Sequence, residues 1–100
     1  MIDGWQTTDI ALCGALLYAF GEESLVEIEI DDTGRAIFHL AIPSLDAEET
    51  QREFDSVEGL AISNLKSYMR TFSWLSRLLR KMKRDGATCW TPRRYSRRAV

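Results

Sequence analysis

Eleven consecutive residues, Ile10 to Phe20, read Ile-Ala-Leu-Cys-Gly-Ala-Leu-Leu-Tyr-Ala-Phe and contain no charged or amide side chain. A helix of that composition is apolar on nearly every face, so it belongs inside a fold rather than on its surface. Thr7-Thr8-Asp9 supplies a capping hydroxyl and a first-turn carboxylate before it, and Gly21 follows its last apolar residue. Those are a helix start and a helix stop. The run falls short of the roughly 20 residues a bilayer span needs. It is preceded by Asp3 and Asp9 rather than Lys or Arg, which is wrong for a signal peptide. The expectation is a buried central helix in a soluble, cytoplasmic protein, with Gly14 allowing another element to approach closely.

A chain of 100 residues, 45% of them apolar, has the content for one modest core and not for two. Oligomerisation is one way such a small core is completed. Cys13 lies inside the apolar run and Cys89 far from it in sequence. A small secreted protein would be richer in cysteine, so both thiols are expected to be free.

Residues 24–42 carry a period of two. Val26, Ile28 and Ile30 alternate with Glu27 and Glu29, and Ala36, Phe38, Leu40 and Ile42 alternate with Arg35, Ile37, His39 and Ala41. Asp31-Asp32-Thr33-Gly34 between them is turn chemistry, so the pair predicts a β-hairpin. Pro43 ends the second strand, Ser44 is placed to cap a polar helix near Asp46–Phe54, and Gly59 marks a break. A long helix is predicted from about Ala61 to Arg84, stopped by Asp85-Gly86. The predicted order is helix, hairpin, helix, long helix (αββαα). This is a small two-layer α+β domain over residues 1–86, with a basic, aromatic tail over 87–100.

The entry Thr7-Thr8-Asp9-Ile10 into an apolar helix, Gly21, a strand pair ending in Phe38-His39-Leu40, and a terminal helix after Phe54–Gly59 form a pattern over about residues 7–84. It resembles a small family of uncharacterised bacterial and phage proteins, a domain of unknown function. The resemblance implies a phage or mobile-element setting and assigns no site residue.

Charge divides the chain. Residues 1–58 hold 14 carboxylates against Arg35 and Arg52, a net −12, and residues 59–100 hold 11 cations against Asp85, a net +10. Such an asymmetry either points to an anionic partner or is neutralised internally, one half against the other. The long helix concentrates it. Ala61, Leu65, Tyr68, Phe72, Leu75, Leu79 and Met82 recur at 4-3 spacing as an apolar seam, more simply core than a homodimer interface. Opposite run Lys66, Arg70, Arg77, Arg80 and Arg84, each within roughly 40° of Lys66 at about 100° per residue. Lys81 lies beside them, and Trp74 is at the edge, where an indole could stack on a base. No acid interrupts the stripe. A helix selected only for solubility mixes the two signs, and the arginine fork suits phosphate. The tail adds Arg93, Arg94, Arg97 and Arg98 with Trp90 and Tyr95 interleaved.

The remaining polar residues carry less. Asp31 and Asp32 suit a turn, while Asp46, Glu48, Glu49 and Glu53 suit a solvated helix face with Arg52. His39 is the only histidine, expected on the outer face of the hairpin across from Glu27, without a nucleophile or oxyanion site around it. One histidine and two separated cysteines make no zinc ligand set, and no cofactor motif is present. The reading is a non-enzymatic protein that binds the DNA or RNA backbone through the basic helix face and tail. The alternative is a protein-interaction module, or a phage-encoded inhibitor, whose acidic half meets a basic partner or a second copy. Whether the acidic helix covers the basic stripe decides between them.

Overall fold

The structure, a computed structural model, describes residues 4–92. The apolar run forms helix α1 (Ile10–Phe20), with Leu12 to Leu17 all buried. Its cap is the Asp9 carboxylate, which accepts from the amides of Ala11 at 3.0 Å and Leu12 at 3.3 Å. Thr7 acts one step earlier, its hydroxyl oxygen accepting from the Asp9 amide at 3.1 Å. The hydroxyl cap expected from Thr7-Thr8 is thus a carboxylate cap, which satisfies two orphan donors at once.

A 3-10 turn, Glu22–Ser24, leads into strand β2 (Leu25–Ile30), which pairs antiparallel with β3 (Ala36–Leu40). The hairpin turn is held by Asp31, whose Oδ1 accepts from the Thr33 amide at 2.9 Å, the Thr33 hydroxyl at 2.6 Å and the Arg35 amide at 2.9 Å. The hydroxyl bond from Thr33 is the main reason the Asp31 carboxyl titrates below its ordinary value. The register breaks between Leu25 and Glu27, so Leu25 opposes Leu40 and Val26 is the extra residue of a bulge. Leu25, not Val26, therefore joins Ile28 on the inner face, and Val26 is left 42% exposed.

The sheet has four antiparallel strands in the order β1-β3-β2-β4, not two. Strand β1 (Trp5–Thr7) borders β3, with Trp5 opposite Leu40, and β4 (Cys89–Trp90) borders β2, with Trp90 opposite Ile28. Both flanking strands correct the predicted αββαα order, which becomes βαββααβ. The domain boundary at residue 86 is corrected with it. Trp90 is 5% exposed and belongs to the core, so residues 87–90 are part of the fold rather than of a tail. A two-stranded hairpin is marginal alone, and a strand on each side extends the surface that the helices cover.

Helix α2 (Ser44–Asp55) packs on α1, burying Ala47 and half-burying Phe54. Ser44 is its first residue and makes no side-chain cap, because Pro43 occupies the cap position. Helix α3 (Leu65–Asp85) packs on α1 and contributes Leu75 and Met82 to the core formed with Ile28, Phe38 and Leu40. The helices thus share one face of the sheet. Cys13 and Cys89 form no disulfide among the described residues, and no helix is long and apolar enough to cross a membrane among the described residues.

Candidate nucleic-acid interface

Helix α3 is set by its ends. Asn64 caps it through its side-chain oxygen, which accepts from the Ser67 amide at 3.1 Å. The Tyr18 hydroxyl accepts from the Asn64 amide and bonds the Ser63 hydroxyl, each at 2.9 Å, fixing where the helix leaves α1. This local capping starts the helix four residues later than its apolar spacing predicts. Ala61 lies before the helix, and Leu65 in its first turn is 64% exposed. At the other end Gly86 adopts the left-handed conformation (φ 69°, ψ 20°), its amide donating to the Lys83 carbonyl at 3.2 Å while that of Ala87 reaches the Met82 carbonyl at 2.9 Å. This is a Schellman close, which tolerates glycine best.

Between these ends one face packs inward and one faces out. Thr71, Leu75 and Met82 are buried; Tyr68, Phe72, Leu78 and Leu79 are half-buried around them. Tyr68 stacks on Phe72 with ring centroids 6.2 Å apart, and both rings lie against Gly14 of α1, where a Cβ would stand 3.5–3.6 Å from them. Gly14 is thus at the close approach expected of it. The Tyr68 hydroxyl donates to the Ala11 carbonyl at 3.3 Å, and burial pushes its pKa up, helped by the charge of Asp9. Leu75 and Met82 of the seam are core, and Tyr68, Phe72 and Leu79 are half-buried beside them.

Lys66, Arg70, Arg77, Arg80, Lys81 and Arg84 are all exposed. From Lys66 to Arg84 the stripe runs about 27 Å at ~1.5 Å per residue. That length matches about eight base pairs of one groove at roughly 3.4 Å each. Among the described residues Lys81 alone of these six has an ion-pair partner, Asp85 at 3.8 Å. Helix α2 lies against α1, and none of its carboxylates is within 4.0 Å of a stripe cation among the described residues. Five of the six charges are thus exposed and without an ion pair among the described residues.

Ser73 falls on the same row, 3 residues after Arg70 and 4 before Arg77, and fills the gap between them. A hydroxyl at that position can donate to a phosphate oxygen. The place of Ser73 on the row follows from the helical spacing, and it is half-buried where the cations are exposed. Trp74 is placed differently from the stacking residue the sequence suggests. It is half-buried and packs edge-to-face on Trp90, centroids 6.1 Å apart at 78°. Its ring is engaged in joining α3 to β4. Arg93, Arg94, Tyr95, Arg97 and Arg98 lie outside the described residues.

Other polar groups are engaged locally. His39 stands opposite Glu27 in register, but its Nε2 meets the diagonal Glu29 carboxylate at 3.1 Å, within reach across an antiparallel pair. Glu27 accepts instead from the Cys89 thiol at 3.3 Å. Burial, with the Asp9 charge secondary, raises the Cys13 pKa to about 12, so this thiol stays protonated and inert at neutral pH. No cluster of three or more His, Cys, Asp or Glu could hold a metal among the described residues. An apolar cavity of about 260 Å³ lies between Ala15, Phe54, Leu60, Ile62 and Tyr68, with no charged side chain lining it.

In comparisons with protein-family models, with curated proteins and with solved structures, the chain matches none.

Proposed function

We propose that the protein is a non-enzymatic nucleic-acid-binding accessory factor of a phage or mobile element, gripping the DNA or RNA backbone with the outer face of α3 and the arginines that follow β4. The observation that carries this reading is the exposed row from Lys66 to Arg84, left unneutralised by α2. The phage or mobile-element setting rests on the sequence resemblance alone.

Backbone contacts dominate the reading because the row offers point charges, guanidinium forks and one hydroxyl, and no Asn or Gln to pair with a base edge. Binding is then electrostatic and weakly sequence-specific. Phosphate contacts from the five row cations alone would give a salt slope near −4.5 on duplex DNA, a loss of roughly 500-fold between about 50 and 200 mM salt, and contacts from the arginines after β4 would steepen it. Fluorescence anisotropy with duplex DNA, duplex RNA and single strands at those two salts tests it. The Arg70→Glu, Arg77→Glu, Arg80→Glu triple variant should lose binding while its far-UV circular dichroism stays unchanged. Binding that survives the triple change refutes the reading.

A further inference from the structure

We infer that the chain also docks on a second copy of itself, the α2 face of Asp46, Glu49 and Glu53 in one copy meeting the α3 face of Arg77, Arg80 and Arg84 in the next. The inference stands apart from nucleic-acid binding, although it uses three of the same arginines. Its basis is a match in geometry and sign. Both triplets have the spacing i, i+3, i+7. Each therefore spans about 10 Å along its helix at ~1.5 Å per residue. Each also lies within a sector of about 60° at ~100° per residue.

All six side chains are exposed, and none belongs to an ion pair among the described residues. The two faces are on different helices, each packed separately against α1, so one chain leaves both free. Like charges crowded on one helix face repel when nothing of opposite sign is interleaved. Only Arg52 relieves the acidic face. A complementary face on another copy relieves both.

Because each copy offers one face of each sign, the contact is head-to-tail, and growth continues unless the rotation closes a ring. It is also steered and screened like any exposed charge pairing.

Light scattering and sedimentation velocity without nucleic acid test this on three proteins. They are the wild type, the triple variant Arg77→Glu, Arg80→Glu, Arg84→Glu, and the triple variant Asp46→Lys, Glu49→Lys, Glu53→Lys. At about 20 mM ionic strength, where the Debye length is roughly 20 Å, the wild-type mass should at least double over the monomer. At about 0.5 M, where it is roughly 4 Å, the mass should return to the monomer. Each variant alone should stay monomeric at both salts. An equimolar mixture of the two variants should associate again at low salt, since both the native pair of faces and the charge-reversed pair are opposite in sign between them. If a triple variant loses its helical circular dichroism, Arg80→Glu and Glu49→Lys take the same places in the design. A wild type that stays monomeric at low salt, a variant that associates as the wild type does, or a mixture that remains monomeric overturns the inference.

Discussion

Helices α1 and α3 lie against each other, yet their sequences answer different demands. In α1 six successive residues from Leu12 to Leu17 are buried, and the chain there is fixed almost wholly by the fold. In α3, a helix of 21 residues, only Thr71, Leu75 and Met82 are buried. One narrow face satisfies the core, and the outer face is free to carry charge. The contrast shows where selection for something other than folding can act: on the outer side of α3, which is exposed among the described residues.

The comparison breaks most visibly where β4 is removed. Trp90 lies in the core and meets Trp74 of α3, so Trp90→Ala should cost about 3–5 kcal/mol. Ending the chain after Gly86 should lower the melting temperature at least as far. Thermal melts of these two proteins at matched concentration check this, and a shift of only a few degrees would mean that β4 is dispensable.

Within α3 the same contrast runs along a single helix. Leu75 is fully buried and Leu65 is 64% exposed, although both fall on the apolar spacing of the sequence. Leu75→Ala should cost about 2–5 kcal/mol, as should Leu16→Ala in α1. Leu65→Ala should stay within about 0.5 kcal/mol, measured by urea unfolding. Equal losses at residues 65 and 75 would mean that the face of α3 is misplaced.

Burial in α1 also has a titration signature. The Cys13 pKa is raised to about 12 from an ordinary value near 9, so the folded state favours the thiol over the thiolate. The stability this contributes is complete below about pH 9 and is lost as pH rises toward 12. Cys13→Ala should flatten that alkaline decline in pH-dependent unfolding, and a thiol reagent at pH 8 should label Cys89 well before Cys13.

The smallest effect sharpens the α1–α3 contact itself. A Cβ at Gly14 would stand 3.5 Å from Phe72 and 3.6 Å from Tyr68, ordinary contact distances. Gly14→Ala should therefore be neutral or stabilise by up to about 1 kcal/mol, the gain in helix propensity. A loss beyond that magnitude would show the two helices packed more tightly than these distances allow.

The parts of the fold legible in the sequence are those with a period or a punctuating residue. The apolar run with Gly21 after it delimits α1, alternation with Asp31–Gly34 gives the hairpin, and Asp85-Gly86 ends α3. Strands β1 and β4 have three and two residues, too short for any period to be counted, and they form only because β3 and β2 offer free edges. The bulge at Val26 was equally hidden, since Val26-Glu27-Ile28 alternates as an unbroken strand does and only the partner strand reveals the extra residue. At the candidate interface the exposure of the arginine row follows from its spacing opposite Leu75. The engagement of Trp74 with Trp90 does not, because it depends on a strand closing from 16 residues further along the chain.

The outer face of α3 as a nucleic-acid grip is tested most directly by the dependence of binding on salt. Association constants for a duplex DNA should be measured at several salt concentrations, for the wild type and for the Arg70→Glu, Arg77→Glu, Arg80→Glu variant. The wild-type plot of log K against log salt should be linear with a slope of roughly −4 or steeper, and the variant should bind too weakly to define one. A wild-type slope near zero, or a variant that keeps the wild-type slope, would contradict the account.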